Sequence, residues 1–429
     1  MEKIVSTRRV FLQKGMTLLA VASTIPTFLD QTVMALANPL DSASTAQPSG
    51  TDGKILVVVQ LSGGNDGMSM VVPYGDDAYY RARGQLAHPA NSVLKINDYI
   101  GLNGKLTGVK NLFDQGNLAI VQGVGYPNPN RSHFRSMDIW QSGQPDRDSP
   151  DSGWLGRYFD NTCPGCDPKV GIAIGAQLPL AMEGERVMPL SFERPDSYRY
   201  RGSDQQHYLE LNQALLTDAD VPEVKPAAKP KITAASQLDF LHRTAMDAQV
   251  SSDQILRITK AHQAAATYPK TEFGASLQTV AAMIQGGLAT RVYYVSLAGF
   301  DTHVQQAGRH DTLMQQLSDG VAAFWADLKT QGNDDRVLMM TFSEFGRRVA
   351  ANASLGTDHG TAAPMFIMGK GVQQGVIGNH PSLTNLDQGD LRYGVDFRSV
   401  YATILQNWLE TPSKPILGGQ FATLPLLRA

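Results

Sequence analysis

The stretch Ile55-Leu56-Val57-Val58-Val59-Gln60-Leu61-Ser62-Gly63-Gly64-Asn65-Asp66-Gly67 passes from a nearly continuous β-branched run into a polar, glycine-rich turn. A run of that kind suits a central strand buried on both faces, because neither face alternates with polar residues. The turn then falls at the carboxyl end of the strand, which is where open α/β sheets place their ligands.

Comparable short runs lie at Leu118–Gln122, Val170–Ile174, Val292–Leu297, Val337–Phe342 and Met365–Met368. Helical periodicity separates several of them, at Leu106–Phe113, Gln278–Leu288 and Thr312–Leu328. Strands alternating with helices predict an α/β domain with three layers: a largely parallel sheet covered by helices on both faces. That domain is expected from residue 54 to residue 429. Between about 190 and 265 the pattern changes, with the proline-rich tract Val221-Pro222-Glu223-Val224-Lys225-Pro226-Ala227-Ala228-Lys229-Pro230 followed by helical periodicity. Repeated proline keeps such a tract out of a sheet, so this part is expected to be an insertion covering one sheet edge.

The 429 residues are 42% hydrophobic and 18% charged, with a formal net charge of -3. This is enough apolar content for a large core, and the charge gives no reason to expect nucleic acid or an anionic membrane as partner. At the N-terminus, Ser6-Thr7-Arg8-Arg9-Val10-Phe11-Leu12 resembles the twin-arginine signal consensus. The apolar stretch after it, Met16 to Leu29, is broken by Pro26 and too short to span a bilayer. Ala35-Leu36-Ala37 offers a cleavage site, so residues 1–37 read as a signal peptide and 38–53 as a flexible linker. The mature chain is expected in the periplasm or secreted, with the twin-arginine translocase as its partner during export and no stable membrane span. That route accepts folded cargo, so a metal can be loaded before export. Cys163 and Cys166, in Cys-Pro-Gly-Cys, are the two cysteines. They form a local disulfide staple or remain free thiols.

Polar clusters follow several of the predicted strands. Asn65-Asp66 follows the first, Asn130-Arg131-Ser132-His133-Phe134-Arg135 the second, Asp301-Thr302-His303 the fourth and Ser343-Glu344 the fifth. Asp358-His359 precedes the last. Singly, each fits a plainer role. Asn, Asp and Gly are ordinary turn residues, Ser132 suits a helix N-cap, and Glu344 complements a helix dipole. Together they would bring oxygen and imidazole ligands to one rim, suited to one or two divalent cations such as zinc, manganese, calcium or magnesium. The expected metal-ligating set is Asn65, Asp66, Asp301, His303, Glu344, Asp358 and His359. The expected catalytic set is Ser132, His133, Arg131 and Arg135, with Ser132 at a helix N-terminus where a tetrahedral anion is attracted and the arginines as a fork of donors.

At these residues the sequence resembles the alkaline phosphatase and sulfatase superfamily. It is most similar to a twin-arginine-exported bacterial family of unknown function within it. Leu61-Ser62-Gly63-Gly64-Asn65-Asp66-Gly67, Ser132-His133-Phe134, Gly299-Phe300-Asp301-Thr302-His303, Ser343-Glu344-Phe345-Gly346-Arg347 and Asp358-His359-Gly360 carry the resemblance. It implies that Asp66 is an acidic ligand after the first strand, that Ser132 lies near the nucleophile, and that Asp301 with His303 forms a metal pair. It further implies that Glu344 stands where the superfamily has Asp-His, and that His359 is the later histidine ligand. Ser142-Gly143 resembles the superfamily's Thr-Gly. Two departures stand out: one residue separates Asp301 from His303, a narrower spacing than alkaline phosphatases use, and Glu344 lacks a following His. No Cys/Ser-x-Pro-Ser-Arg signature surrounds Ser132, which argues against a formylglycine sulfatase.

The expected function is a metal-dependent hydrolase of phosphate or sulfate esters, with a small molecule or glycan ester as substrate. The alternatives are a non-catalytic binding protein on the same fold, recognising anionic glycans or an exported partner, and an assembly role beside another exported protein.

Overall fold

The computed structural model describes residues 53–164, 166–196 and 251–428. The signal peptide at 1–37, nearly all of the linker at 38–53 and the greater part of the insertion at about 190–265 lie outside the described residues.

The strands in chain order are β1 (Ile55–Ser62), β2 (Val71–Val72), β3 (Leu94–Lys95), β4 (Gly101–Leu102), β5 (Leu118–Gly125), β6 (Gly171–Ile174), β7 (Leu190–Phe192), β8 (Val292–Ala298), β9 (Val337–Phe342), β10 (Ala363–Met368), β11 (Gly375–Ile377) and β12 (Val395–Asp396). Nine of them form one sheet in the order β11-β5-β10-β9-β1-β8-β6-β7, with β12 also paired to β5, while β2, β4 and β3 make a small separate sheet. β1 lies at the centre between β8 and β9, parallel to both, with Val57 opposite Tyr293 on one side and Met339 on the other. Only β10 runs against its neighbours β5 and β9. The architecture is therefore α/β with a mostly parallel central sheet.

The unbroken apolar character of β1 follows from its having two covered faces. Ile55, Val57, Val59 and Leu61 enter one core, with the helices Thr107–Asp114, Glu272–Gln285 and Gln306–Gln331. Leu56 and Val58 enter the other, with the helices His133–Ser142, Trp154–Thr162 and Phe397–Thr403. Successive side chains point to opposite faces of a strand, so a strand between two helical layers needs apolar residues at every position. Each fully buried Val or Leu adds about 1.5–3 kcal/mol of transfer free energy.

Where the structure departs from the expected elements, local chemistry accounts for it. The helix Glu272–Gln285 begins earlier than its apolar periodicity because Thr271 caps it, accepting from the Gly274 amide at 3.1 Å. β7 falls inside the stretch expected as insertion, yet it is an edge strand of the main sheet, parallel to β6. It is too short for periodicity to mark it. Residues 251–261 are helical, and Ile255 and Tyr268 belong to the core beneath the helix Gln306–Gln331. Asp327 of that helix fastens the segment, accepting from the Tyr268 hydroxyl at 3.0 Å and meeting His262 Nε2 at 2.9 Å. Cys163 and Cys166 are joined in a disulfide. No helix among the described residues is long and apolar enough to cross a membrane.

Candidate metal centre

The topology delivers the rim. β1, β8 and β9 are adjacent and parallel, so the loops after Ser62, Ala298 and Phe342 leave the sheet at one pole. Because β10 is reversed, the loop before it, carrying Asp358 and His359, reaches the same pole. The loops then approach one another closely. A Cβ on Gly63, whose φ is +119°, would lie 2.4 Å from the Asp301 amide nitrogen, and one on Gly356 would lie 2.1 Å from the His303 carbonyl oxygen. Only glycine permits either approach.

Arg347 ties the three loops together. Its buried guanidinium donates to the carbonyls of Gly63, Gly64, Phe300 and Thr357 and, at 2.8 Å, to Asp301 Oδ1. That leaves the Asp301 carboxylate fixed in direction and half exposed, at 49%.

Three imidazoles converge on it. His133 Nε2, His303 Nε2 and His359 Nε2 lie 3.7, 3.1 and 3.5 Å from Asp301 Oδ1. The ligand atoms of His133, Asp301 and His359 all lie within 4.8 Å of one another, and His303 Nε2 is 2.9 Å from His359 Nε2. The opposite ring nitrogens settle the tautomers. His359 Nδ1 is 2.8 Å from the Arg131 carbonyl oxygen, an atom that can only accept. His133 Nδ1 is 2.9 Å from Glu344 Oε1, and His303 Nδ1 is 3.2 Å from Asp358 Oδ1. Each Nδ1 therefore donates its proton outward, and in the neutral ring each Nε2 presents a bare lone pair toward the same carboxylate oxygen. His133 Nε2 is buried with no hydrogen-bond partner. Lone pairs facing one another repel unless a cation sits between them. A histidine whose other nitrogen is held by a carboxylate or a carbonyl is also the usual state of a metal-bound imidazole.

The surroundings favour a neutral His359 and ionised carboxylates. Burial and the cationic Arg347, with His133 and His303 nearby, hold His359 below the ordinary imidazole value against the pull of the Arg131 carbonyl. For Asp301, burial pushes upward, but the Arg347 hydrogen bond and charge, with His303 and His133, bring its carboxyl below the usual range. Asp358 is lowered chiefly by its hydrogen bond from Asn352. Glu344 is itself buried, accepting from the Gly63 amide at 2.8 Å and the Ser343 hydroxyl at 3.1 Å. Phe345 packs against the rings of both His133 and His359, with centroids 4.8 and 4.6 Å away.

Of the residues expected at the site, Asp301, His303, Glu344, Asp358 and His359 are brought together, and His133, expected in the catalytic set, joins them with its Nε2 facing Asp301. Others need correcting. Asp66 does not face the cluster: its buried carboxylate pairs with Arg83 and also accepts from Ser69, Gln306 and the Met68 amide. With both oxygens taken by the one guanidinium and the side chain wholly buried, this carboxylate has no open site for a cation. Asn65 Oδ1 receives His310 Nε2 at 2.9 Å, and its amide lies against Met70. The two arginines expected to hold an anion are engaged elsewhere. Arg131 pairs with buried Asp390, and Arg135 donates to the carbonyls of Pro145 and Asp148. Ser132 caps the helix His133–Ser142 by position but makes no side-chain cap bond. It is exposed, beside His133 in the chain. Arg83, Gln306 and the stapling by Arg347 go unmarked in the sequence. Only Arg347 lies in a quoted motif, and nothing in its neighbours signals five acceptors.

Residues 53–412 match the model of a family described as a protein of unknown function, DUF1501. No curated protein sequence matches the chain. Among solved structures it is similar to the PsFucS1 sulfatase from Pseudoalteromonas sp., with 10% identity over 93% of this chain and 75% of that one, at a TM-score of 0.38. It is also similar to a protein in the alkaline phosphatase superfamily from Vibrio parahaemolyticus, with 10% identity over 82% and 70% and a TM-score of 0.31. A third is the C-terminal periplasmic domain of EcEptC from Escherichia coli in complex with Zn, with 10% identity over 77% and 75% and a TM-score of 0.32. With its matched region running through both strands that flank β1 and all of the loops at the rim, the chain belongs to the DUF1501 family.

Proposed function

We propose that this protein is an exported, metal-dependent hydrolase of phosphate or sulfate esters. The observation that carries the reading is the trio of imidazoles, each with Nδ1 held by an oxygen acceptor and Nε2 turned toward Asp301 Oδ1. His133, Asp301 and His359 would hold the ion, with His303 in reach of two of them. Nitrogen and carboxylate donors without thiolate suit zinc or a similar divalent ion. When bound, the ion supplies Lewis acidity and neutralises charge developing on an ester oxygen.

The chain's own residues do the rest. Glu344, Asp358 and the Arg131 carbonyl aim the imidazoles, and Arg347 aims Asp301. Ser132 offers an exposed hydroxyl with no hydrogen bond to any described residue, at the N-terminus of a ten-residue helix whose dipole attracts an anion. It is the candidate nucleophile. Export by the twin-arginine route would carry the site already loaded.

The test is metal content and turnover on a panel of phosphate and sulfate esters for the wild type, Ser132→Ala and Asp301→Ala. Loss of metal and turnover in Asp301→Ala, with metal kept and turnover lost in Ser132→Ala, is the expected result. Unchanged turnover in both variants, or no metal under any loading condition, rejects the reading. A non-catalytic binding protein is the second reading. It is favoured by the commitment of Asp66 to Arg83, which leaves one metal-ligating group among the described residues.

A further inference from the structure

Next to the metal centre lies a cavity of about 480 Å3. It shares two lining residues with the surroundings of the centre. Arg131, whose carbonyl fixes His359, borders it, as does Phe345, whose ring stacks beside His133 and His359. Its far side is built from the segment Asp387–Tyr393 and from Asn128.

That wall is held in an uncommon backbone form. Asp387 and Asp390 exchange both amide-to-carbonyl bonds at 2.9 Å around Gln388 and Gly389. Both residues between them have positive φ, +52° and +91°, as a tight hairpin turn of the I′ kind requires. Asn128, which lines the same cavity, also has a positive φ, +54°. Non-glycine residues in this region are strained and persist where surrounding structure holds them, commonly at ligand sites. Here Asp390 does the holding. It is fully buried, pairs through Oδ2 with Arg131 and lies with Oδ1 3.6 Å from Arg348 Nε.

The chemistry of the lining selects the occupant. The side chains of Asn128, Asp387 and Gln388 make no hydrogen bond to described residues, so amide and carboxylate groups are left open beside Tyr393, a large ring 41% exposed. Open acceptors and amides that can both donate and accept, next to an aromatic face, match a ring bearing several hydroxyls. They do not match an alkyl chain, for which these groups would lose water without replacement. The two aspartates of the lining, Asp387 and Asp390, are matched by Arg131 and Arg392, so the cavity has no net charge and suits the neutral hydroxyls of an ester whose charged group lies at the metal. A volume of this size is in the range of small-ligand sites.

We infer that this cavity is the subsite for the organic part of the substrate, and that this part is a glycosyl group. The inference deepens the hydrolase reading and rests on it for the orientation of the ester. Phe134 and Val304, 86% and 60% exposed, flank His133 and His303 outside this cavity and are where an alkyl ester would lie instead.

The test is direct binding of the full chain, metal-loaded, to an array of neutral, 6-phosphorylated and 6-sulfated oligosaccharides, with octyl phosphate as the alkyl probe. Tyr393→Ala and Asp387→Ala are compared with wild type, and metal content and thermal midpoint confirm that each variant is folded. Binding of esterified oligosaccharides that weakens tenfold or more in both variants, at unchanged metal content, is the expected result. Octyl phosphate bound more tightly than any oligosaccharide overturns the inference, as does an array with no binding above background. Oligosaccharide binding that depends on Tyr393 but persists in Asp301→Ala, with no hydrolysis by wild type, keeps the subsite and removes the hydrolase reading. The two can thus fail separately.

Discussion

Asp66 and Asp301 both follow a buried strand at the same pole of the sheet, and the two strands are hydrogen-bonded neighbours, yet their carboxylates have opposite surroundings. Asp66 is fully buried against the guanidinium of Arg83. Asp301 is half exposed, held from one side by Arg347 and faced by three imidazole nitrogens from the others. The difference is one of access. Asp66 gives both oxygens to one guanidinium and is sealed from solvent, a structural anchor, whereas Asp301 gives Arg347 only Oδ1 and stays half exposed to the facing imidazoles.

The contrast between the two carboxylates predicts its largest effect at Asp66. Replacing it with Asn leaves Arg83 buried and unpaired, which is expected to destabilise the protein by about 3–5 kcal/mol with metal affinity nearly unchanged. Chemical denaturation and metal competition on the same sample check both halves. A large loss of metal with little loss of stability would place Asp66 at the centre after all.

Acid sharpens the contrast next. Burial pushes His310 down to about 4, against the pull of Asp66, and holds it neutral beside Asn65. Burial pushes Asp66 up, but Arg83 outweighs it and holds the carboxyl well below its usual range. Both folded values lie below the unfolded ones, so the unfolded chain takes up protons first. Stability is full above about pH 6.5 and is lost as pH falls toward 4. The His310 part alone is roughly 3 kcal/mol at about 1.4 kcal/mol per pKa unit. Thermal midpoints measured from pH 7 to pH 4.5 are expected to fall, and less steeply in His310→Gln.

The smallest of these effects is at Glu344, which touches the site only through His133 Nδ1. Glu344→Gln is expected to weaken metal binding by about 10–100-fold, measured by competition with a chelator, while the thermal midpoint of the metal-free protein changes little.

What is legible in the sequence follows the same division. The β1 run marks a strand covered on both sides, because a short segment apolar at every position must bury both of its faces. The site loops are legible because each follows or precedes such a strand. What separates Asp66 from Asp301 is not: Arg83 stands 17 residues further along on a different helix, and no local pattern ties the two together. In sequence His133 reads as a catalytic neighbour of Ser132, because the groups that define it, Glu344 and Asp301, lie far away in the chain. β7, β11 and β12 leave no mark, since two or three residues carry no periodicity.

Whether the three imidazoles and Asp301 share one ion is tested most directly by X-ray absorption on the zinc-loaded full-length protein. Light-atom ligands at about 2.0–2.1 Å with imidazole outer-shell scattering from at least two rings are expected, reduced by one ring in His359→Ala. A zinc ion bound without imidazole scattering, or scattering unaltered in His359→Ala and His133→Ala alike, would contradict a shared ion.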